Sequence, residues 1–134
     1  MRTSSPGAGF RGIIAKQFAY ALFYYDSVLI TYNWSNGNPL STGINIADGN
    51  WKNVVLTYQS GVTNGTIVYL NGSSVLTTTI TVSNQATGNL YGASEANASQ
   101  HAACTAASFS MYNRALTSTE VLQNYNALKG RFGL

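Results

Sequence analysis

Four carboxylates stand in the chain: Asp26, Asp48, Glu95 and Glu120. Cleaving a glycosidic bond needs two of them, flanking one bond as acid and as base or nucleophile. No two are spaced i, i+2, the interval that puts side chains on one face of a strand. Glu120 follows Thr117 by three residues, the spacing of a helix capping box, and Asp48 opens the turn sequence "DGN". Each has a local structural role, so no enzyme activity is expected. His101 and Cys104 are three apart among Ala and Ser, with no third group to orient a nucleophile. They read as a surface imidazole and a small buried thiol.

Sugar binding asks for an exposed ring beside amides, and Trp34 followed by "SNGN" supplies that composition, with Asn36 and Asn38 as the amides. Against it, Val28, Ile30, Tyr32 and Trp34 alternate, and this pattern carries Trp34 into the core. Asn33, Asn64, Asn71 and Asn97 head Asn-x-Ser/Thr triplets; Asn64 and Asn71 precede glycine and read as turn residues.

Charged residues make up 8% of the chain and hydrophobic ones 45%, so it has enough apolar content for a core, with Ser, Thr, Asn and Gly as its polar surface. That surface suits extracellular and virion β-proteins. The net charge of +3 is spread over Arg2, Arg11, Lys16, Lys52, Arg114, Lys129 and Arg131, with no run or stripe, and no nucleic-acid partner is expected. The single cysteine excludes an intrachain disulfide. "MRTSSPGAGFRGII" has no secretory pattern, and no apolar stretch is long enough to insert in a membrane. A virion or extracellular location would then be reached without a leader in this chain.

The elements that must position these residues are mostly strands. Met1 to Gly9 read as an arm. "FRGIIAK", "FAYALFYY", "SVLITYNW" and "WKNVVLTYQ" follow as strands. In the third, Leu29, Thr31 and Asn33 form the more polar face, which predicts a strand buried on one side. "NWSNGNPLSTG", Asn33 to Gly43, is a loop by composition. Asn71-Gly72 between β-branched runs predicts a hairpin. "GNLYGA" is a short strand, and "AASFSMYNRAL" resumes strand character. Thr117 caps a closing helix whose apolar face carries Val121, Leu122, Tyr125 and Leu128, with Gly130 as its left-handed end.

Three of these segments, "DGNWKNVVLTY", "GTIVYLNGSSV" and "FSMYNRALTSTEVLQNYN", resemble in this order the laminin-G-like (concanavalin A-like) jelly-roll family, over roughly residues 10 to 128. The resemblance implies an all-β sandwich of two antiparallel sheets with a short C-terminal helix. The arm would be residues 1–9 and the domain 10–134, with the helix at about 117–129 and a tail at 130–134. It gives Trp51 a packing role. Such domains often hold a calcium ion at one rim, for which Asp26 and Asp48 are the candidates; calcium wants six to eight oxygens, and no metal or other cofactor is expected here. Family members carry further strands ahead of "FRGIIAK", one of which pairs with the last. The edge near "AASFSMY" is therefore expected to be covered by a strand of another polypeptide, or by the Met1–Gly9 arm of a sister subunit.

The ending "QNYNALKGRFGL" is similar to the C-termini of tailed-phage structural proteins. It implies a structural module of a virion, as capsid decoration or as part of a tail or fibre, contacting neighbouring virion subunits through Lys129, Arg131, Phe132 and Leu134. The alternative is a carbohydrate-binding, lectin-like module of a secreted bacterial protein, with a glycan on Trp34, Asn36 and Asn38.

Overall fold

The computed structural model describes residues 1–4, 7–82, 88–94 and 100–134; Glu95 and Asn97 lie outside these. Among the described residues eight strands precede one helix: β1 Phe10–Lys16, β2 Tyr20–Tyr25, β3 Val28–Asn33, β4 Asn38–Asn45, β5 Val54–Thr57, β6 Thr66–Leu70, β7 Ser73–Thr78, β8 Leu90–Gly92 and α1 Ser118–Phe132. They form a five-stranded sheet in the order β4-β3-β2-β1-β8 and a three-stranded sheet in the order β5-β6-β7, both antiparallel. The fold is the expected all-β sandwich with a C-terminal helix.

Turn chemistry sets the hairpins. Asp26 and Ser27 join β2 to β3 with φ of 45° and 79°, and Asn71 and Gly72 join β6 to β7 with φ of 50° and 80°. Paired positive φ values match the twist of the flanking strands. Gly72 is required twice over, because a Cβ there would lie 2.9 Å from Tyr125 of α1. Leu22, Tyr24 and Leu29 of the large sheet meet Val68 of the small one, with Ile46 and Ala102, in the core between the sheets.

The outer face of the large sheet is also covered. Ala15, Ala21, Phe23 and Ile30 are buried there, flanked by Phe10, Val28, Tyr32 and Trp34. This corrects the one-sided reading of the third strand: its more polar face, Leu29, Thr31 and Asn33, is buried. Thr31 satisfies its hydroxyl by donating to the Ala21 carbonyl at 2.8 Å.

Three other expectations change. The loop predicted from Asn33 to Gly43 shrinks to a short turn, and β4 starts at Asn38. Pro39 is tolerated because β4 is an edge strand, with no neighbour on its far side to need the missing N–H. The stretch Ala106–Asn113, predicted as strand, joins no sheet. Among the described residues no backbone hydrogen bond reaches it; a strand needs a neighbour as well as a pattern. The helix runs through Gly130 to Phe132, and Gly133 at φ 65° ends it. Its capping box forms as read: the Glu120 N–H donates to Thr117 Oγ1 at 3.3 Å, and the Thr117 N–H donates to the Glu120 carboxylate at 2.8 Å. Val121 is fully buried, whereas Leu122, expected on the docked face, is 46% exposed.

Candidate functional site

β5 is one edge of the small sheet, and β7 is the other. Across from β5 lies Ala106–Asn113, and between them opens a groove of about 800 Å³. Ile13, Ile14, Leu22, Val54, Leu56 and Leu116 line it, with the helix end at Leu128 and Phe132. The lip opposite β5 carries Phe109, Met111 and Tyr112, which are 65%, 54% and 51% exposed. Single exposed apolar residues are ordinary, but a contiguous set beside an apolar trough marks a binding surface.

Two short structures hold the near end of the groove. The Met1 ammonium donates to the Lys52 carbonyl at 2.7 Å, and the Lys52 N–H donates to the Met1 carbonyl at 2.7 Å. Arg2 exchanges backbone bonds of 3.0 and 2.9 Å with Thr105. Arg2 also lies over the Trp51 ring at 5.2 Å, and Phe132 packs on that ring at 5.7 Å. Trp51 is thus half-buried on the rim, not the core residue the resemblance implied. At the far end, Arg114 grips Glu120 through two bonds of 2.8 and 2.6 Å. The Arg114 bonds, then the Thr117 N–H, hold the Glu120 carboxyl down at about 2. The Lys52 bond at 2.7 Å does most to hold Asp48 at about 2. Cys104 also lines the groove, and burial raises its thiol, so it stays protonated.

The residues singled out in the sequence are scattered around this groove or away from it. Asp26 accepts from the Gly9 N–H at 2.8 Å, tying the segment before β1 to the β2–β3 turn, and Asp48 accepts from Asn50 and Lys52 within its own turn. Among the described residues no group of three or more His, Cys, Asp or Glu gathers in a way that could hold a metal ion. His101 is exposed and bridges to Gly12. Trp34 is half-buried at the margin of an aromatic cluster, 5.1 Å from Tyr32 and 6.3 Å from Phe23. Asn36 and Asn38 are exposed beyond it, Asn36 accepting from the Asn38 N–H at 3.2 Å. Lys129 lies over Tyr125 at 5.8 Å and Arg131 over Phe132 at 5.4 Å. Phe132 and Leu134 turn back to line the groove of their own chain.

Sequence reasoning placed a sheet edge near Phe109, where the structure has no strand, and missed the opposite wall, β5. The available signal was "VVLT" in β5, a short apolar strand with none of the Lys, Pro or bulge that normally guards an edge.

No helix among the described residues is long and apolar enough to cross a membrane. No curated protein matches the chain. Among solved structures, it is similar to an S-layer domain-containing protein of Clostridium thermocellum at 15% identity and a TM-score of 0.49, covering 93% of this chain and 66% of that one, just under two thirds. The model of the concanavalin A-like lectin/glucanases superfamily matches residues 1–122, which includes the arm as well as the sandwich. The chain belongs to the concanavalin A-like lectin/glucanase superfamily.

Proposed function

We propose that the domain is a non-catalytic interaction module whose binding face is the groove between β5 and Ala106–Asn113. The observation that carries this reading is the exposed apolar lip of Phe109, Met111 and Tyr112 beside an apolar trough. Asp26, Asp48 and Glu120 each accept a bond from a backbone N–H, which favours binding over hydrolysis. The likeness of "QNYNALKGRFGL" to tailed-phage structural proteins supports the part of the proposal that this work is done in a virion, as capsid decoration or a tail or fibre component binding neighbouring subunits. A photo-crosslinking amino acid at Phe109, in assembled particles, is expected to capture one defined structural subunit. Particles that yield no adduct at that position overturn the reading.

A lectin-like reading rests on a second observation. Trp34, Tyr32, Phe23 and Phe10 border a small pocket with the Gln100 side, and the exposed amides of Asn36 and Asn38 lie nearby. Rings beside amides fit the apolar face and hydroxyls of a sugar. Glycan titration followed by Trp34 emission tests it: saturable quenching abolished by Trp34→Ala is the expected result, and no response across a glycan panel removes it.

A further inference from the structure

We infer that Asn36 is a site of spontaneous covalent modification: its side chain closes on the Gly37 nitrogen, loses ammonia and becomes aspartate or isoaspartate, a reaction that the fold suppresses at the other Asn-Gly steps. It proceeds whether or not the neighbouring Trp34 pocket takes a sugar.

The chemistry favours Asn or Asp followed by glycine, which has no Cβ to keep its nitrogen from the side chain. The glycine N–H gives its proton to solvent base, and the nitrogen attacks Cγ. A C–N bond forms, the Cγ–Nδ2 bond breaks, and ammonia leaves. Water then opens the five-membered imide at either carbonyl, leaving aspartate or, where the chain now runs through the side chain, isoaspartate. The step needs a nitrogen without an acceptor, a carboxamide free to reach it, and a backbone with room to move. Four steps are candidates: Asn36-Gly37, Asp48-Gly49, Asn64-Gly65 and Asn71-Gly72.

Three of them are blocked, each differently. After Asn64, the buried Gly65 donates its N–H to the Val62 carbonyl at 2.9 Å. A Cβ on Gly65 would lie 2.7 Å from that of Val62, so the backbone there has no room. At Asn71 the carboxamide is the part held, because Oδ1 accepts from the Asn53 N–H at 2.9 Å. Gly72 is also packed beneath Tyr125 and Leu122 of α1. After Asp48, the Gly49 N–H donates to the Thr3 carbonyl at 2.9 Å. The Asp48 carboxylate is bonded to Lys52, and an ionised carboxyl has no good leaving group.

Asn36-Gly37 meets every condition. Both residues are exposed in the turn between β3 and β4. No carbonyl among the described residues accepts the Gly37 N–H, and a Cβ on Gly37 would meet nothing nearer than the Tyr32 hydroxyl at 4.0 Å. Tyr32 donates to the Gly37 carbonyl at 2.8 Å, which leaves the nitrogen side free. Asn36 Oδ1 accepts from the Asn38 N–H at 3.2 Å, the long end for such a bond. Reaching two residues on folds the carboxamide over the Gly37 nitrogen between them. The product places a carboxylate where β4 begins and lowers the net charge by one from +3. Isoaspartate also adds a methylene to the turn that sets the β3–β4 register.

The folded domain is incubated at mildly alkaline pH, and each Asn-Gly step is followed by peptide mass mapping. A protein isoaspartate methyltransferase with labelled S-adenosylmethionine reports isoaspartate. Asn36 is expected to convert at least roughly tenfold faster than Asn64 and Asn71, whose held groups react only through local opening. The Asp48 peptide should take up no methyl label. In denaturant the three Asn-Gly steps should convert at similar rates. Asn36→Gln should abolish the early acidic shift on ion exchange and leave the unfolding midpoint unchanged. Conversion of Asn64 or Asn71 as fast as Asn36 in the folded domain overturns the proposal, as does an Asn36 that stays intact. An Asn36 preference that persists in denaturant overturns it too, because the selection would then lie in the flanking residues. An acidic shift that survives Asn36→Gln does the same.

Discussion

The two sheets end in unlike edges. β4 closes the large sheet with Asn38, Pro39, Ser41, Thr42, Gly43 and Asn45, and its exposed positions are polar or proline. Its register shifts opposite Val28 and Ile30, where Thr42 donates its hydroxyl to the Leu29 carbonyl at 2.8 Å and accepts from the Ile44 N–H at 3.2 Å. Proline, a bulge and short polar side chains all discourage another strand from docking. β5 ends the small sheet with Val54, Val55, Leu56 and Thr57 and none of these devices. The β4 edge carries devices that keep another strand away, and the β5 edge carries none of them. The chain has 8% charged residues overall, so the contrast comes from backbone devices and not from charge.

The largest test removes a core leucine near each edge. Leu29, next to β4, is fully buried, and Leu29→Ala should cost about 2–5 kcal/mol. Leu56 is half-buried beside an open groove, and Leu56→Ala should cost clearly less, about 1 kcal/mol, in the isolated domain. Denaturant melts of both variants decide it. Equal losses would mean that the β5 edge is already packed.

Hydrogen exchange sharpens the same contrast without a mutation. Amides of Val55 and Thr57 point to β6 and should be protected, while those of Val54 and Leu56 point into the groove and should exchange about a hundredfold faster. Uniform protection along β5 contradicts the open edge.

The third test concerns what holds the far wall. The helix cap anchors the end of the Ala106–Leu116 segment, and Thr117→Ala should lower stability by about 1 kcal/mol. Val121→Ala, which empties a fully buried site, should cost about 2 kcal/mol. Leu122→Ala should cost less than Val121→Ala, since Leu122 is largely exposed. Reversal of that order would place the wrong face of α1 on the sheets.

What the sequence disclosed follows the range of each interaction. The Asn71-Gly72 hairpin and the Thr117–Glu120 capping box were legible because each is specified within a few residues. The resemblance of three ordered segments carried the fold class. β4 was not legible: its composition is that of a loop, and only the adjacent β3 makes it a strand. Ala106–Asn113 failed in the opposite sense, with a strand's pattern and no neighbour to complete it. The groove escaped for the same reason, since its two walls are about fifty residues apart in sequence and neither looks unusual alone. Leu122 was misassigned because helical spacing gives a stripe without saying which side of it docks.

The smallest effect expected is on pH, and it too separates the edges. Both ends of the groove are held by an ion pair, Asp48 with Lys52 and Glu120 with Arg114, whereas β4 has none among the described residues. Asp48 is lowered from 3.8 to about 2, chiefly by the Lys52 bond, and Glu120 from 4.5 to about 2, chiefly by Arg114. A depressed carboxyl stabilises the fold above its unfolded pKa, and that contribution is lost as pH falls through the folded one. The window therefore opens near pH 4.5 and closes near pH 2. Both carboxyls face solvent, so screening keeps each contribution small and salt should weaken it further. Acid in that window should speed exchange around Lys52 and at the start of α1 while leaving the β3–β4 ladder unchanged. Glu120→Gln should remove the response at α1 and preserve it at Lys52. An equal acid response along β4 would show that the ion pairs are not what sets the two edges apart.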